Sequence, residues 1–528
     1  MPCRVGGMTL FRNFLGVGAA TMVSRILGFL RDTMIAAALG TGPAADAFFV
    51  AFRLPNLFRR FFAEGAFNTA FIPLYSRALE ADGPEAAGRF ASEALSALLV
   101  LLALVTGLAV IFAPALVFLL APGFAADPAK FDLAVLMTRI CFPYLALISV
   151  GAMLSGVLNA HRLFLFAAFV PALLNLVLIA FLFAIRLGGA ERTPLAGTIL
   201  SIGVAVAGLA QCAALVWGVR RAGVGFPIVR PRLTAAIRRL ARLGAPGVIA
   251  GGITQINLVV GTIIASLSAG SVSYLYYADR VYQLPLGIVG AAIGVVLLPE
   301  IARQVRADRE DLALAAQNRS IEFAAVLTLP SAVALAILAG PIVEVLFERG
   351  AFGPQDTMRT ASALAAYAFG LPAFVLVKVF APGFFAREDT ATPMWIGMAT
   401  VAVNIALALA LFPVVDFVAV AIATSIAGWV NAALLWLITV RRGHWRADWE
   451  LESRLPRIAA SAAVMGMVLY LLVDPVGVWT GAENHLLVKA GALGSLIALG
   501  LGLFFGVAQA TGAVDLGRIL RQMRRRPT

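Results

Sequence analysis

The sequence predicts an all-α polytopic membrane protein: fourteen transmembrane helices, built as two pseudo-symmetric six-helix lobes plus two C-terminal helices, with both termini cytoplasmic. Three observations carry this. The 528-residue chain is 61% hydrophobic and only 13% charged. Apolar runs long enough to cross a bilayer, which takes about twenty helical residues, recur from end to end. Landmarks in the first half of the chain return in the second at a nearly constant spacing.

In order, the runs lie near 13–39, 45–74, 91–120, 133–159, 163–185, 195–218, 243–268, 272–299, 320–347, 357–385, 392–412, 415–440, 456–473 and 486–508. Several exceed what a bilayer needs, so those helices should tilt or bend. The second carries Pro55, which removes a backbone hydrogen bond and should kink its helix. No run alternates apolar and polar residues, which excludes a β-barrel. The first run is long and contains Arg25 and Arg31, unlike a cleavable signal peptide.

Loop charge sets the orientation, because lysine and arginine accumulate on the cytoplasmic side. With the N-terminus inside, the inner segments hold 27 basic residues, whereas the outer loops hold six: Lys130, Arg186, Arg192, Arg349, Arg359 and Lys489. This distribution accounts for the net charge of +13 and suits anionic membrane lipids. A nucleic-acid partner is not expected, since no soluble domain is there to carry the site. The basic stretch 230–242 is read as a short amphipathic surface helix between the halves.

Chemistry-bearing motifs are few. Cys3, Cys141 and Cys212 have no metal or redox spacing, and His161, His444 and His485 are scattered among loops. The chain has no Walker-type phosphate loop, no HExxH and no Gly-x-Ser-x-Gly. Enzymatic activity, a metal and a cofactor are therefore not expected.

The repeat organises the rest. Arg53, Pro73 and Arg77 recur as Arg280, Pro299 and Arg303 at offsets of 226–227, and Arg162 recurs as Arg387 at 225. Six helices separate related segments, so the halves share orientation, as in transporters that rock one half against the other around a central site. The reading divides the chain into an N-terminal extension (1–12), an N-lobe (13–220), a linker (221–242), a C-lobe (243–441), a C-terminal helix pair (442–510) and a basic tail (511–528).

The functional clue is charge inside the apolar runs. Arg25 and Arg31 lie in the first; Arg53, Arg59 and Arg60 in the second; Arg280 and Lys378 in the eighth and tenth. A central arginine costs roughly 2.5–3.5 kcal/mol on insertion scales, so a cluster implies a polar cavity and an anionic ligand. Helical spacing aligns Arg53, Asn56, Arg60 and Glu64, and it aligns Arg25, Gly28 and Asp32, with Arg31 about 120° away. Tyr276, Arg280, Gln283, Gly287, Gly290 and Gly294 share another face. The acids Asp32, Asp46, Glu64 and Asp279 are too few to neutralise these bases, leaving a surplus suited to a diphosphate. Arg139 starts its helix near the outer interface and reads as an anchor.

Four stretches carry a resemblance: SRILGFLRD at 24–32, DAFFVAFRLPNLFRRFFAEGAF at 46–67, YYADR at 276–280 and KVFAPGF at 378–384. In these, and in its fourteen-run layout from Met8 onward, the chain resembles the MurJ/MviN lipid II flippases of the MOP transporter superfamily. The resemblance implies export of lipid II, the undecaprenyl-diphosphate-linked peptidoglycan precursor, from the inner to the outer leaflet of the bacterial cytoplasmic membrane. It implies that Arg25, Arg31, Arg59 and Arg280 receive the diphosphate in a central cavity. Asp46, Glu64 and Asp279 match family acids that pair with bases and set the gates, and Ser24 and Ser273 match positions near the cavity and outer gate. The last two helices match those that form a groove for the lipid tail, and contacts with cell-wall synthesis machinery are implied. Gln283 stands where relatives can carry a glutamate. Gly261 replaces an aspartate tied to sodium binding in some relatives, so Asn404 and Thr424 are not assigned a sodium site. Two rival readings are a flippase for another polyprenyl-diphosphate oligosaccharide and a drug/cation antiporter of the same superfamily.

Overall fold

The computed structural model describes residues 5–59, 68–225, 227–481 and 484–515, and no strand occurs among them. The chain packs as two compact units, Met1–Ser273 with Arg349–Phe352, and Tyr274–Glu348 with Gly353–Thr528.

The first unit contains α1 (Val5–Leu39), α2 (Pro43–Arg59), α3 (Asn68–Ala81), α4 (Gly83–Ile111), α5 (Ala113–Leu120), a 3-10 turn (Pro122–Ala126), α6 (Pro128–Cys141), α7 (Pro143–Ala160), α8 (Phe164–Leu187), α9 (Pro194–Arg221) and α10 (Ala235–Ala265). Proline in the first turn starts α4, α6, α7 and α9, where its missing N–H costs nothing. Asp127 and Thr193 cap α6 and α9 by accepting from the amides of Lys130 and Ala196. Within this unit α1 packs on α8, α8 on α9, α2 on α6, and α3 on α4 and α7.

The second unit is built from α11 (Ser271–Arg306, from Tyr274 on), α12 (Glu310–Ile337), α13 (Ala339–Phe347), α14 (Pro354–Phe385), α15 (Ala391–Val415), α16 (Val418–Arg441), α17 (Trp449–Thr480) and α18 (Leu486–Ala510). Here α14 packs on α12 and α16, α15 on α16, and α17 on α12 and α18. Val289, Ile293, Val375, Val379, Phe380 and Leu435 belong to its core, which joins α11, α14 and α16.

Three runs read as single spans are each divided. Phe112 separates α4 from α5, Phe142 separates α6 from α7, and Leu338 separates α12 from α13. Pro114, Pro143 and Pro341 follow these breaks and cannot donate to the preceding turn. The run 45–74 covers α2 and α3, with 60–67 outside the described residues. Among the described residues, ten helices are long and apolar enough to cross a membrane, against the fourteen expected; α1, α2 and α11, which carry Arg25, Arg31, Arg53, Arg59 and Arg280, are not among the ten.

The basic stretch 230–242 does not form a short helix of its own. Thr234 caps α10 by accepting from the Ile237 amide, and Arg238, Arg239 and Arg242 ride on its opening turns while Ile237 and Leu240 are buried. α10 packs on α3, α4 and α5.

Helix boundaries repeat along the chain. Gly83 and Glu310 open α4 and α12 at an offset of 227, and the breaks at Phe112 and Leu338 are 226 apart. The residues after α7 and α14 take left-handed conformations at the same spacing, Arg162 (φ 63) and Glu388 (φ 62). A turn that needs φ > 0 is uncommon for side chains of this size, so its recurrence extends the sequence repeat to the backbone.

The α14–α15 turn holds a pH-sensitive pair. Hydrogen bonds from Thr392 and from the Arg442 guanidinium (2.6 Å) hold the Asp389 carboxylate down at about 2, below its ordinary 3.8. A depressed carboxylate stabilises the fold above its unfolded value, and that contribution disappears as pH falls through the folded one. Asp389→Asn should therefore lower the thermal midpoint at pH 7 by more than at pH 2. A gap between parent and variant that does not change with pH would refute this.

Candidate functional site: buried bases and their anchors

Arg31 and Arg25 share α1 but meet different surroundings. Arg31 is 7% exposed, and its Nε and Nη2 donate to Asp32 Oδ1 at 2.9 and 2.6 Å. Its Nη1 donates to Asn175 Oδ1 on α8 at 2.9 Å, and Asn175 Nδ2 donates to the Ser24 carbonyl at 2.9 Å. The guanidinium is thus held on two edges, which satisfies a buried charge as burial demands. Arg25 is exposed, and no protein partner is found for it among the described residues. Their angular separation along the helix is realised as a division between a tied base and an open one. Ser24 contributes its carbonyl, not its hydroxyl, to this arrangement.

On α2, Arg53 Nη1 donates to Thr262 Oγ1 of α10, and Thr262 in turn donates to the Leu258 carbonyl at 2.7 Å. Arg59 is half-buried at the end of α2. Arg60 and Glu64 lie outside the described residues. Asn56 donates back to the Phe52 carbonyl, close to where Pro55 withdraws its own N–H.

Asp46, at the start of α2, is fully buried and accepts four hydrogen bonds. Lys130 Nζ donates to Oδ2 at 2.7 Å and the Gly270 amide to the same oxygen at 3.0 Å; the Ser273 amide and hydroxyl donate to Oδ1 at 3.0 and 2.6 Å. The Lys130 ammonium also lies 4.0 Å from the Phe124 ring centroid. The base that meets Asp46 is therefore one that charge counting assigned to an outer loop. Lys489, counted the same way, is also buried and reaches Glu344 of α13 at 3.3 Å. Both lysines lie at the starts of helices, α6 and α18, and are buried there.

In the second unit, Arg280 stacks over Tyr276, 4.7 Å from the ring centroid, and Gln283 donates to Asp279. The amide thus takes up the acid one turn before it. Lys378 runs across Gly290, where a Cβ would fall among its Nζ, Cδ and Cε atoms. Gly290→Ala should displace this lysine without removing a charge, at or below the low end of the about 1–3 kcal/mol overpacking range, because the obstacle is the far end of a flexible side chain. A smaller drop in thermal midpoint for Gly290→Ala in a Lys378→Ala background would show it. An equal drop in both backgrounds would not. An apolar groove of about 270 Å³ lies beside α17 and α18, lined by Val326, Pro330, Met465, Leu469, Leu501 and Phe505 among others.

Asn404 is buried on α15, and the Thr424 hydroxyl is spent on the Val420 carbonyl. Among the described residues no group of three or more His, Cys, Asp or Glu side chains could hold a metal ion. Asn175, Lys130 and Thr262 were not singled out from sequence. A lone polar residue within an apolar run is the signal that could have found Asn175.

Arg31 is buried on α1, and Arg53, Arg59 and Arg280 are partly buried on α2 and α11; these bases and their partners do not by themselves name a ligand. The family described as "Lipid II flippase MurJ" matches residues 35–480. The chain belongs to this family. It is 49% identical over 520 residues to a "Probable lipid II flippase MurJ" of Rhizobium meliloti (strain 1021), covering 98% of this chain and 97% of that one. The counterpart from Rickettsia prowazekii (strain Madrid E) is 34% identical, with coverages of 96% and 99%. A solved "Lipid II flippase MurJ, inward closed conformation" shares the fold at TM-score 0.77 and 24% identity, covering 94% of this chain and 98% of that one. An inward-facing multidrug resistance MATE transporter of the MOP superfamily shares it at TM-score 0.67 and 14% identity, with coverages of 81% and 97%. With ten such apolar helices among the described residues, this member of the MurJ family is a multi-pass protein of the bacterial inner membrane.

Proposed function

We propose that the chain moves lipid II from the inner to the outer leaflet by alternating access through an arginine-lined cavity. The observation that carries the substrate is the 49% identity, over nearly the whole chain, to a protein named as a probable lipid II flippase. In this proposal the chain crosses the membrane fourteen times, as two six-helix repeats and two added helices with both termini cytoplasmic. Arg25, Arg31, Arg53, Arg59, Arg60, Arg280 and Lys378 supply the positive charge. Arg25, exposed and open on α1, is the base with its fork available to a diphosphate, while Arg31 braces α1 against α8.

Diphosphate binding reduces repulsion among the bases and permits closure on the cytoplasmic side. Release of the Asp46 contacts to Gly270 and Ser273 belongs to outward opening. The tail follows the apolar groove on α17 and α18. A potential of about 100 mV is worth about 2.3 kcal/mol per elementary charge moved fully across. With the interior negative, it favours outward movement of a polyanion and inward return of an empty cationic site. No cofactor and no sodium site enter the cycle. Contacts with the cell-wall synthesis machinery remain part of this proposal.

The test is lipid II exposure at the outer leaflet of cells depleted of their own flippase and supplied with this chain. Parent protein should restore exposure; Arg25→Ala and Arg280→Ala, at equal membrane levels, should not. One charge-assisted hydrogen bond contributes about 1.5–3 kcal/mol, so each variant should bind lipid II roughly tenfold or more weakly. Failure of a correctly inserted parent would reassign the substrate. Rescue by both variants would retain lipid II and eliminate these bases as its site.

A further inference from the structure

A cleft of about 1020 Å³ opens in the first unit and shares no lining residue with the bases described above. Its walls come from α3, α4, the end of α7 and the chain leaving α9. Tyr75 lies at its base, 1% exposed, with its hydroxyl 2.9 Å from His161 Nε2. Arg89, Arg230, Arg232, Glu85 and Glu93 supply its charge.

The outer wall is anchored. The Val229 amide donates to Ser96 Oγ at 3.0 Å, and the Thr234 hydroxyl donates to Glu93 Oε2 at 2.7 Å. Arg230 and Arg232 therefore project from a short stretch pinned to α4 on both sides. Arg89 stands four residues from both Glu85 and Glu93 on α4, the spacing at which helical ion pairs form. Even so, among the described residues neither Arg89, Arg230 nor Arg232 has an ion-pair partner. Three unpaired guanidinium groups, each able to grip a phosphate bidentately, surround space large enough for a small headgroup. The two glutamates argue against an extended polyacid, and they offer acceptors for hydroxyl groups.

We propose that this cleft is a second anion site, which takes a compact phosphate bearing hydroxyls, either a glycerol-type phospholipid headgroup or its soluble phosphate. The phosphate lies against Arg89, Arg230 and Arg232, and the hydroxyls face Glu85 and Glu93. The site does not depend on the lipid II reading.

The experiment uses full-length protein in phosphatidylcholine nanodiscs and two probes: glycerol 3-phosphate in solution, and phosphatidylglycerol introduced into the disc. Arg89→Gln and the double variant Arg230→Gln/Arg232→Gln are compared with Arg238→Gln/Arg239→Gln, which neutralises nearby bases outside the cleft. Saturable binding of either probe to the parent, about tenfold weaker in both cleft variants and unchanged in the control, is the expected result. Which probe binds identifies the source of the phosphate. Binding of neither probe, or equal weakening in cleft and control variants, overturns the proposal. Each variant is first shown to be monodisperse with a parental thermal midpoint.

Discussion

Lys130→Met should destabilise the protein by about 3–5 kcal/mol, because it strands the Asp46 carboxylate in a fully buried position. Asp46→Asn should cost a comparable amount, since it strands the ammonium and also weakens the hydrogen bonds from Gly270 and Ser273. The double variant should lose much less than the sum, because no buried charge is left unpaired. The coupling between the two is the measurable signature of a direct pair. Thermal midpoints in detergent for the parent, both singles and the double test it. Additive losses would show that Lys130 and Asp46 act separately. The cycle also separates the pair from the loop, since Ser273→Ala removes one donor and leaves the charges matched.

Gly350→Ala carries the second large effect. Gly350 has φ +59, and a Cβ there would fall on the Ala37 carbonyl oxygen. The left-handed backbone alone costs an alanine about 1–2 kcal/mol. The steric part cannot be relieved by a side-chain rotation, because the obstacle is main chain. That oxygen also accepts from the Ala351 amide at 2.7 Å, so moving it breaks a hydrogen bond. Together these should cost about 3–5 kcal/mol, combining strain with overpacking. Gly189→Ala is the control, with φ +64 and open space around the new methyl. It should show the conformational part alone. Equal effects of the two substitutions on the thermal midpoint would remove the argument from close approach.

The helices were legible because apolar runs of membrane length have few other solutions. Their internal breaks were not: Phe112 and Leu338 are as apolar as their neighbours, and only the prolines that follow mark them. The candidate bases can be read from the sequence, but the side chains that hold them cannot. Arg31 beside Asp32 can be read from adjacency, whereas Asn175 is 144 residues away and Lys130 is 84 residues from Asp46. Helical angle separated Arg31 from Arg25, and it could not say which of the two would be tied. Counting charges placed Lys130 and Lys489 in outer loops, whereas both lie at the starts of helices, α6 and α18, and are buried there against Asp46 and Glu344.

The segment Arg349–Phe352 sits between α13 and α14, outside any helix. Its Gly350 carbonyl accepts from Arg192 and its Ala351 amide donates to Ala37, while Gly40 leaves room for the Ala351 carbonyl. In hydrogen–deuterium exchange, a connecting loop of this kind ordinarily labels within seconds. Here the Ala351 amide should label on the timescale of the helix ends it is bonded to. A slow amide inside a fast loop would make this segment a reporter of how firmly it is held against the end of α1, readable without altering the sequence.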